Sequence, residues 1–175
     1  MDRVYITPKR IVTKYAGCKN NLIKDEHYLL ERGNGQSEMN RKKCCIMTST
    51  ETEKASLLLD FGSELHGGLK LVMGSSSRRE PSLVRIRFGE SVGEANSTTS
   101  NSEWKVGFST DDHAKRDIIM EIPRDGMIEI GNTGFRFVRL DLLQNNATIS
   151  LKEISAILRY RDIPYLGSVS YTHLR

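Results

Sequence analysis

A chain of 175 residues that is 38% apolar and 27% charged carries enough hydrophobic material for one buried core, which excludes an intrinsically disordered polypeptide. Its formal charge of +4 comes from bases dispersed among acids, with short clusters only at Arg41-Lys42-Lys43 and Arg78-Arg79, so nucleic acid is not an expected partner. No apolar run is long enough to cross a bilayer as a helix, so no membrane partner is expected either.

In chain order, Val4 to Val12 reads as extended, Tyr28-Leu29-Leu30 as a short strand and Arg32-Gly33-Asn34-Gly35-Gln36 as a turn. Residues 1–55 are thus N-terminal strands and loops of a sandwich, or a preceding β-subdomain. The pattern sharpens at Ser56. Ser56 to Phe61 and Leu69 to Met73 read as two strands, with Gly62 and Gly67-Gly68 punctuating the segment between them. Val84-Arg85-Ile86-Arg87-Phe88 alternates apolar and charged residues, as a half-buried strand does.

Gly93 to His113 is a long polar segment that reads as a loop, pinned to the body by Trp104 and Phe108. Ile118 to Ile122 is a strand closed by the turn Pro123-Arg124-Asp125-Gly126. Met127 to Ile130 follows, then a second turn at Gly131-Asn132-Thr133-Gly134. In the strand Phe135 to Leu142, period two puts Val138, Leu140 and Leu142 on one face and Phe135 and Phe137 on the other. Asn145-Asn146 turns the chain into Ala147 to Leu151, and Ile154 to Tyr160 is the last strand.

No segment has the period of a three-turn amphipathic helix. The fold expected is all-β, a jelly-roll-like antiparallel β-sandwich (concanavalin-like) over residues 56–167. Residues 168–175 read as a non-native or truncation tail.

Chemistry-bearing residues are dispersed. The three cysteines, Cys18, Cys44 and Cys45, form neither a disulfide framework nor a four-ligand zinc site and are expected to be reduced and buried. His27, His66, His113 and His173 lack metal-ligand spacing, and no metal or cofactor is expected. His66, between Glu64-Leu65 and Gly67-Gly68, reads as part of a structural turn. Ser75-Ser76-Ser77 reads as a solvated loop, lacking the setting of a nucleophile elbow.

Glu90, Glu94, Asp111 and Asp112 are acids in or near loops, and no catalytic residue is assigned among them. Asp111-Asp112 reads as a solvated acidic turn in preference to a calcium site. Arg136 and Arg139 are expected to form cross-strand ion pairs. Trp104, the single tryptophan, is the candidate carbohydrate-binding residue because its indole offers a flat face for a sugar ring.

Three segments taken together resemble the non-catalytic β-sandwich ahead of the catalytic domain in bacterial α-L-rhamnosidases. They are Leu59-Asp60-Phe61-Gly62-Ser63-Glu64-Leu65-His66-Gly67-Gly68, Val84-Arg85-Ile86-Arg87-Phe88-Gly89-Glu90, and Gly134-Phe135-Arg136-Phe137-Val138-Arg139-Leu140. Order and spacing match over Ser56 to Gly167. The resemblance implies an accessory domain packed against an (α/α)6 barrel of the same polypeptide, which holds an inverting carboxylate pair and would start after Pro164-Tyr165-Leu166-Gly167. It also implies a carbohydrate context, with rhamnose-containing glycans as possible ligands; the alternative is an independent carbohydrate-binding module. The opening residues lack the apolar run of a signal peptide, so the sequence as given is expected in the cytoplasm, or outside it if a leader precedes Met1.

Overall fold

The period-two pattern becomes nine antiparallel strands in a computed structural model that describes residues 2–15, 22–37, 42–97 and 116–160. They are β1 (Asp2–Ile6), β2 (Arg10–Tyr15), β3 (Ile23–Lys24), β4 (Cys45–Ser49), β5 (Ser56–Ser76), β6 (Ser82–Gly89), β7 (Asp117–Ile122), β8 (Gly126–Leu142) and β9 (Ala147–Tyr160). Two of them, β5 and β8, are long enough to serve both layers of a β-sandwich.

In the first layer, Ser56–Asp60 of β5 lies between β2 and the last part of β8, with β6 and then β7 beyond. In the second, Gly67–Ser76 of β5 lies between β9 and the first part of β8. The other edge of β9 carries β1 and β4, and β3 pairs with β4. Strands β1, β2 and β4 therefore belong to the same layers as the stronger strands after Ser56.

One core fills the space between the layers. Leu57, Leu59 and Phe61 come from the first part of β5, and Leu69, Leu71 and Met73 from the second. Val84, Ile86 and Phe88 of β6 join them, as do Val138, Leu140 and Leu142 of β8. At the centre Phe135 meets Phe61 edge-on (centroids 5.8 Å, 88°) and Phe88 (5.0 Å, 67°). Burying each such ring contributes roughly 1.5–3 kcal/mol before entropy is counted.

The segments read from sequence as separate strands join where β5 and β8 pass from one layer to the other. Gly62 and Gly131 are not strand ends; they lie inside β5 and β8, at φ 89° and 85°. The register of β5 shifts between Asp60 and Leu65 and again between Gly67 and Leu69, so the glycines act as bulges that turn a strand without ending it. The same passage moves Phe135. It lies in the main core with Val138, while the successive residues Arg136 and Phe137 both point away from it, because β8 changes the face it offers the core there. Phe137 packs instead with Leu58 and Ala95 in a satellite cluster.

Tyr28-Leu29-Leu30 is helical, not extended: Glu26–Leu30 is a short 3-10 helix that buries Leu29. The polar segment starting at Gly93 opens as α1 (Val92–Asn96), capped by the Ser91 hydroxyl accepting from the Glu94 N–H at 3.1 Å. Residues 98–115, with Trp104, Phe108, Asp111, Asp112 and His113, lie outside the described residues, as do Cys18 and residues 161–175 with His173.

A Cβ on Gly68 would sit 2.6 Å from the Gly131 carbonyl oxygen and 2.7 Å from that of Ile130, so backbone would have to move. Gly68→Ala is expected to cost about 2 kcal/mol or more. Gly93→Ala, in a helix with room around it, is expected to gain about 0.5 kcal/mol. Urea unfolding midpoints of the two variants check this; equal shifts would mean that the crossing is not closely packed.

Candidate functional site

The three motif segments meet at the strand crossing, where their charged residues form a lattice of ion pairs. Asp60 is 2% exposed and turned away from the core. Arg136 donates Nε to its Oδ1 at 2.9 Å and Nη2 to its Oδ2 at 3.0 Å, and Arg10 donates Nε to Oδ2 at 3.0 Å. The Gly62 N–H, two residues on, donates to Oδ1 at 2.8 Å. Asp-Phe-Gly is thereby explained atom by atom: the carboxylate holds the bulge, the phenyl enters the core, and the glycine takes the left-handed conformation. Hydrogen bonds from Arg136 above all, then from Gly62 and Arg10, hold the Asp60 carboxyl well below the usual carboxylate range against the opposing effect of burial.

The second motif is built the same way. Phe88 enters the core, and a Cβ on Gly89 would lie 2.5 Å from the Ala95 nitrogen, so the glycine lets α1 sit on β6. Glu90 pairs with Arg116 at 2.9 Å, and Glu94 pairs with the same guanidinium. On the outer face of this layer Arg87 bonds Asp141 at 2.7 Å, Arg139 bonds Asp141 at 2.8 Å, and Arg85 holds Asp117 through two nitrogens. The cross-strand pairing expected of Arg136 is found, with Asp60 of β5 as its partner, whereas Arg139 pairs along its own strand with Asp141, two residues on in β8.

Asp60 is unsuited to act as a general acid. A general acid needs a carboxyl that keeps its proton near neutral pH. Asp60 is held ionised, and Glu90 lies at the surface beside Arg116. His66 is exposed on continuous β5, opposite Gly134, so its setting is a strand crossing in place of the expected turn. His27 lies against the Tyr28 ring. Ser75 and Ser76 end β5 instead of forming a solvated loop, and the Ser75 N–H donates to the Ser150 hydroxyl at 2.6 Å. Cys44 and Cys45 are thiols outside any disulfide and are buried, and burial pushes the Cys45 thiol up to about 12. Among the described residues no three His, Cys, Asp or Glu side chains gather to hold a metal ion, and no helix is long and apolar enough to cross a membrane.

A second feature lies on the far side of the sandwich and was not singled out from the sequence. A cleft of about 410 Å³ opens between the turn after the 3-10 helix and the turn before β4, with Tyr28, Arg32, Asn34, Lys42, Lys43 and Lys152 on its walls. Lys43 takes the left-handed conformation (φ 51°) as the chain swings into β4. A smaller recess of about 170 Å³ adjoins the cleft and reaches down to Lys70 and Glu153.

The turn over residues 31–37 is fastened from below. The buried Glu153 carboxylate accepts from the Gly35 N–H at 3.1 Å, from Lys70 Nζ at 3.3 Å and from the Ser155 hydroxyl. Lys70 also lies 4.7 Å from the centre of the Tyr5 ring. A Cβ on Gly33 would meet Glu153 Oε2 at 2.2 Å, so glycine is needed for the turn to lie this close. At the far end the Ser37 hydroxyl donates to the Met73 carbonyl at 2.6 Å and accepts from the Gly126 N–H at 2.8 Å.

No family model matches the chain, and no curated protein matches it. Among solved structures it is similar to a rhamnosidase from Klebsiella oxytoca with rhamnose bound (TM-score 0.57, 16% identity), over 90% of this chain but only 29% of that one. It is also similar to a fucose binding module of Streptococcus pneumoniae (TM-score 0.51, 10% identity), over 92% of this chain and 100% of that one. A third similar structure is the C-terminal domain of a chitobiase from Bacteroides fragilis (TM-score 0.52, 11% identity, 89% and 100% covered). At these identities the shared property is the fold, an antiparallel β-sandwich. The chain spans less than a third of the rhamnosidase and the full length of the other two chains.

Because the Asp60 carboxyl is held low in the folded chain, its stabilising effect is present above the unfolded value of about 4 and is lost as pH falls below it. Asp60→Asn is expected to be less stable than the parent at pH 7 and to lose less stability between about pH 4 and pH 2. Chemical denaturation across that range reads both effects; parallel stability curves would show that Asp60 is not held ionised.

Proposed function

We propose that the chain is the non-catalytic β-sandwich of a rhamnosidase-like glycoside hydrolase, a carbohydrate-associated module that packs against a catalytic barrel of the same polypeptide. One observation carries this reading: the residues of the three ordered motifs build the strand crossing, so the motifs mark this scaffold and no reaction centre. The similarity of fold to part of a rhamnosidase supports it. Apolar surface suited to a neighbouring domain supports it as well. Strand β1 pairs with β9 along one edge, and there Val4 and Tyr160 are each 41% exposed. In this reading the inverting carboxylates belong to the barrel.

A second reading, an independent carbohydrate-binding module, is favoured by the two similar structures that are matched along their whole length. Trp104 remains the residue proposed as its sugar platform.

The purified chain, the product of its intact parent gene, and the Trp104→Ala variant of the chain separate these readings. For the accessory module, the parent hydrolyses an aryl α-L-rhamnoside, the chain alone does not, and the isolated chain self-associates as its concentration rises. A clean monomer that binds rhamnose or fucose glycans, and loses them in Trp104→Ala, favours the second reading. Hydrolysis by the chain alone that disappears in Glu90→Gln overturns both.

A further inference from the structure

We propose that the recess between the end of β1 and the 31–37 turn binds one neutral sugar ring, the terminal residue of a glycan, packed against Tyr5. The inference rests on the carbohydrate-associated reading above and gives it a site and a ligand class. It starts from hydrogen-bonding capacity that remains at a buried floor. Lys70 and Glu153 are 7% and 6% exposed, and both line the recess. Of the three donors on Lys70 Nζ, one meets Glu153 Oε1 at 3.3 Å, and the ammonium lies 4.7 Å from the centre of the Tyr5 ring. Lys70 Nζ makes no other hydrogen bond among the described residues. The Glu153 carboxylate accepts from Gly35, Lys70 and Ser155, and a carboxylate has room for about four donors. On the walls, the Thr7 hydroxyl has no partner among the described residues, and Asn34 uses only its Oδ1, which accepts from the Gln36 N–H at 3.1 Å.

That mixture narrows the ligand. The buried cation of the recess already has a carboxylate beside it, so no anion is needed to neutralise it. Donors next to a remaining acceptor site suit adjacent sugar hydroxyls, each of which both donates and accepts. Tyr5 adds an apolar wall. Its residue is 42% exposed, and its hydroxyl donates to Glu129 Oε1 at 2.8 Å, which fixes the ring for contact with the C–H face of a sugar. About 170 Å³ corresponds to the liquid volume of roughly six waters, more than a lone ion fills. It falls short of the ~300 Å³ at which sites for larger ligands begin, so one ring is the size that fits.

The recess is also formed in advance. Glu153 holds the Gly35 N–H and the Ser37 hydroxyl holds the far end of the turn, so a ligand need not order that wall on binding. A Cβ on Gly35 would lie 3.0 Å from Lys70 Nζ, and one on Gly33 would lie 2.2 Å from Glu153 Oε2. The two glycines therefore let the turn approach the pair while keeping side chains off it.

The test is NMR titration of the nitrogen-15-labelled chain with methyl α-L-rhamnoside, methyl α-L-fucoside and methyl β-D-glucoside, with glucuronate and inorganic sulfate alongside. At least one neutral glycoside is expected to bind, to move the amide signals of Gly33, Gly35 and Lys70, and to bind equally well at high salt. Tyr5→Ser is expected to weaken it about ten-fold and Thr7→Val about three-fold, each with the amide spectrum of the folded chain retained. Tyr15→Ser, at an exposed tyrosine on β2, is expected to leave it unchanged. Glucuronate or sulfate that binds more tightly and is released by salt would overturn the proposal. Glycoside binding that survives Tyr5→Ser but is lost in Trp104→Ala would overturn it too, while leaving the carbohydrate-associated reading intact. If no monosaccharide binds while the parent enzyme still hydrolyses rhamnosides, the recess proposal alone is overturned; if the parent does not hydrolyse them either, both are.

Discussion

The structure depends on two strands that each serve both layers of the sandwich. A strand that changes layers must break its register, turn a new face to the core and leave backbone polar groups without ladder partners. Here the break in β5 is closed by one carboxylate. Asp60 accepts the Gly62 N–H that the bulge frees, and it takes two arginines from strands on either side, Arg10 of β2 and Arg136 of β8. Phe61, next in sequence, enters the core against Phe135, so the polar tie and the apolar anchor of the crossing are adjacent residues. Further pairs, among them Arg87 with Asp141 and Arg116 with Glu90 and Glu94, extend the tie across β6, β8 and α1.

This arrangement assigns the two ends of the chemistry to different places. At the crossing, acids and bases neutralise one another, and the carboxyl that is most deeply held is fixed in its ionised form, which suits a brace. Across the sandwich, the second layer carries a buried pair, Lys70 and Glu153, whose visible effect is to seat a loop. A buried ion pair offsets the cost of its own desolvation only when every partner is satisfied. Glu153 meets that condition, with a backbone N–H, an ammonium and a hydroxyl all donating to it.

Much of the fold was legible because period two survives in the strands: Val84-Arg85-Ile86-Arg87-Phe88 alternates in the structure as it does in the sequence, and Arg136 pairs across strands as expected. The glycines misled in one respect. Gly62, Gly67-Gly68 and Gly131 look like strand ends, yet they are bulges, and only tertiary pairing distinguishes a strand that stops from one that bends. Strand β4 was missed although Cys45, Met47 and Ser49 alternate as buried residues, since none of these three is a strong strand former and lysines precede them. The cleft was illegible for a different reason. Arg32, Lys43 and Lys152 lie far apart in sequence, and β9 brings the last of them beside the two turns. Trp104 lies outside the described residues, so its part as a sugar platform stays with the proposal.

The central claim is that the motif carboxylate and its arginine form one structural unit. A double-mutant cycle on Asp60→Asn and Arg136→Gln, read by urea denaturation, tests it most directly. The account predicts clear non-additivity: once either partner is gone, replacing the other costs little more. Independent, additive losses would contradict it, as would a loss of glycan binding or hydrolysis in Asp60→Asn with folding unchanged.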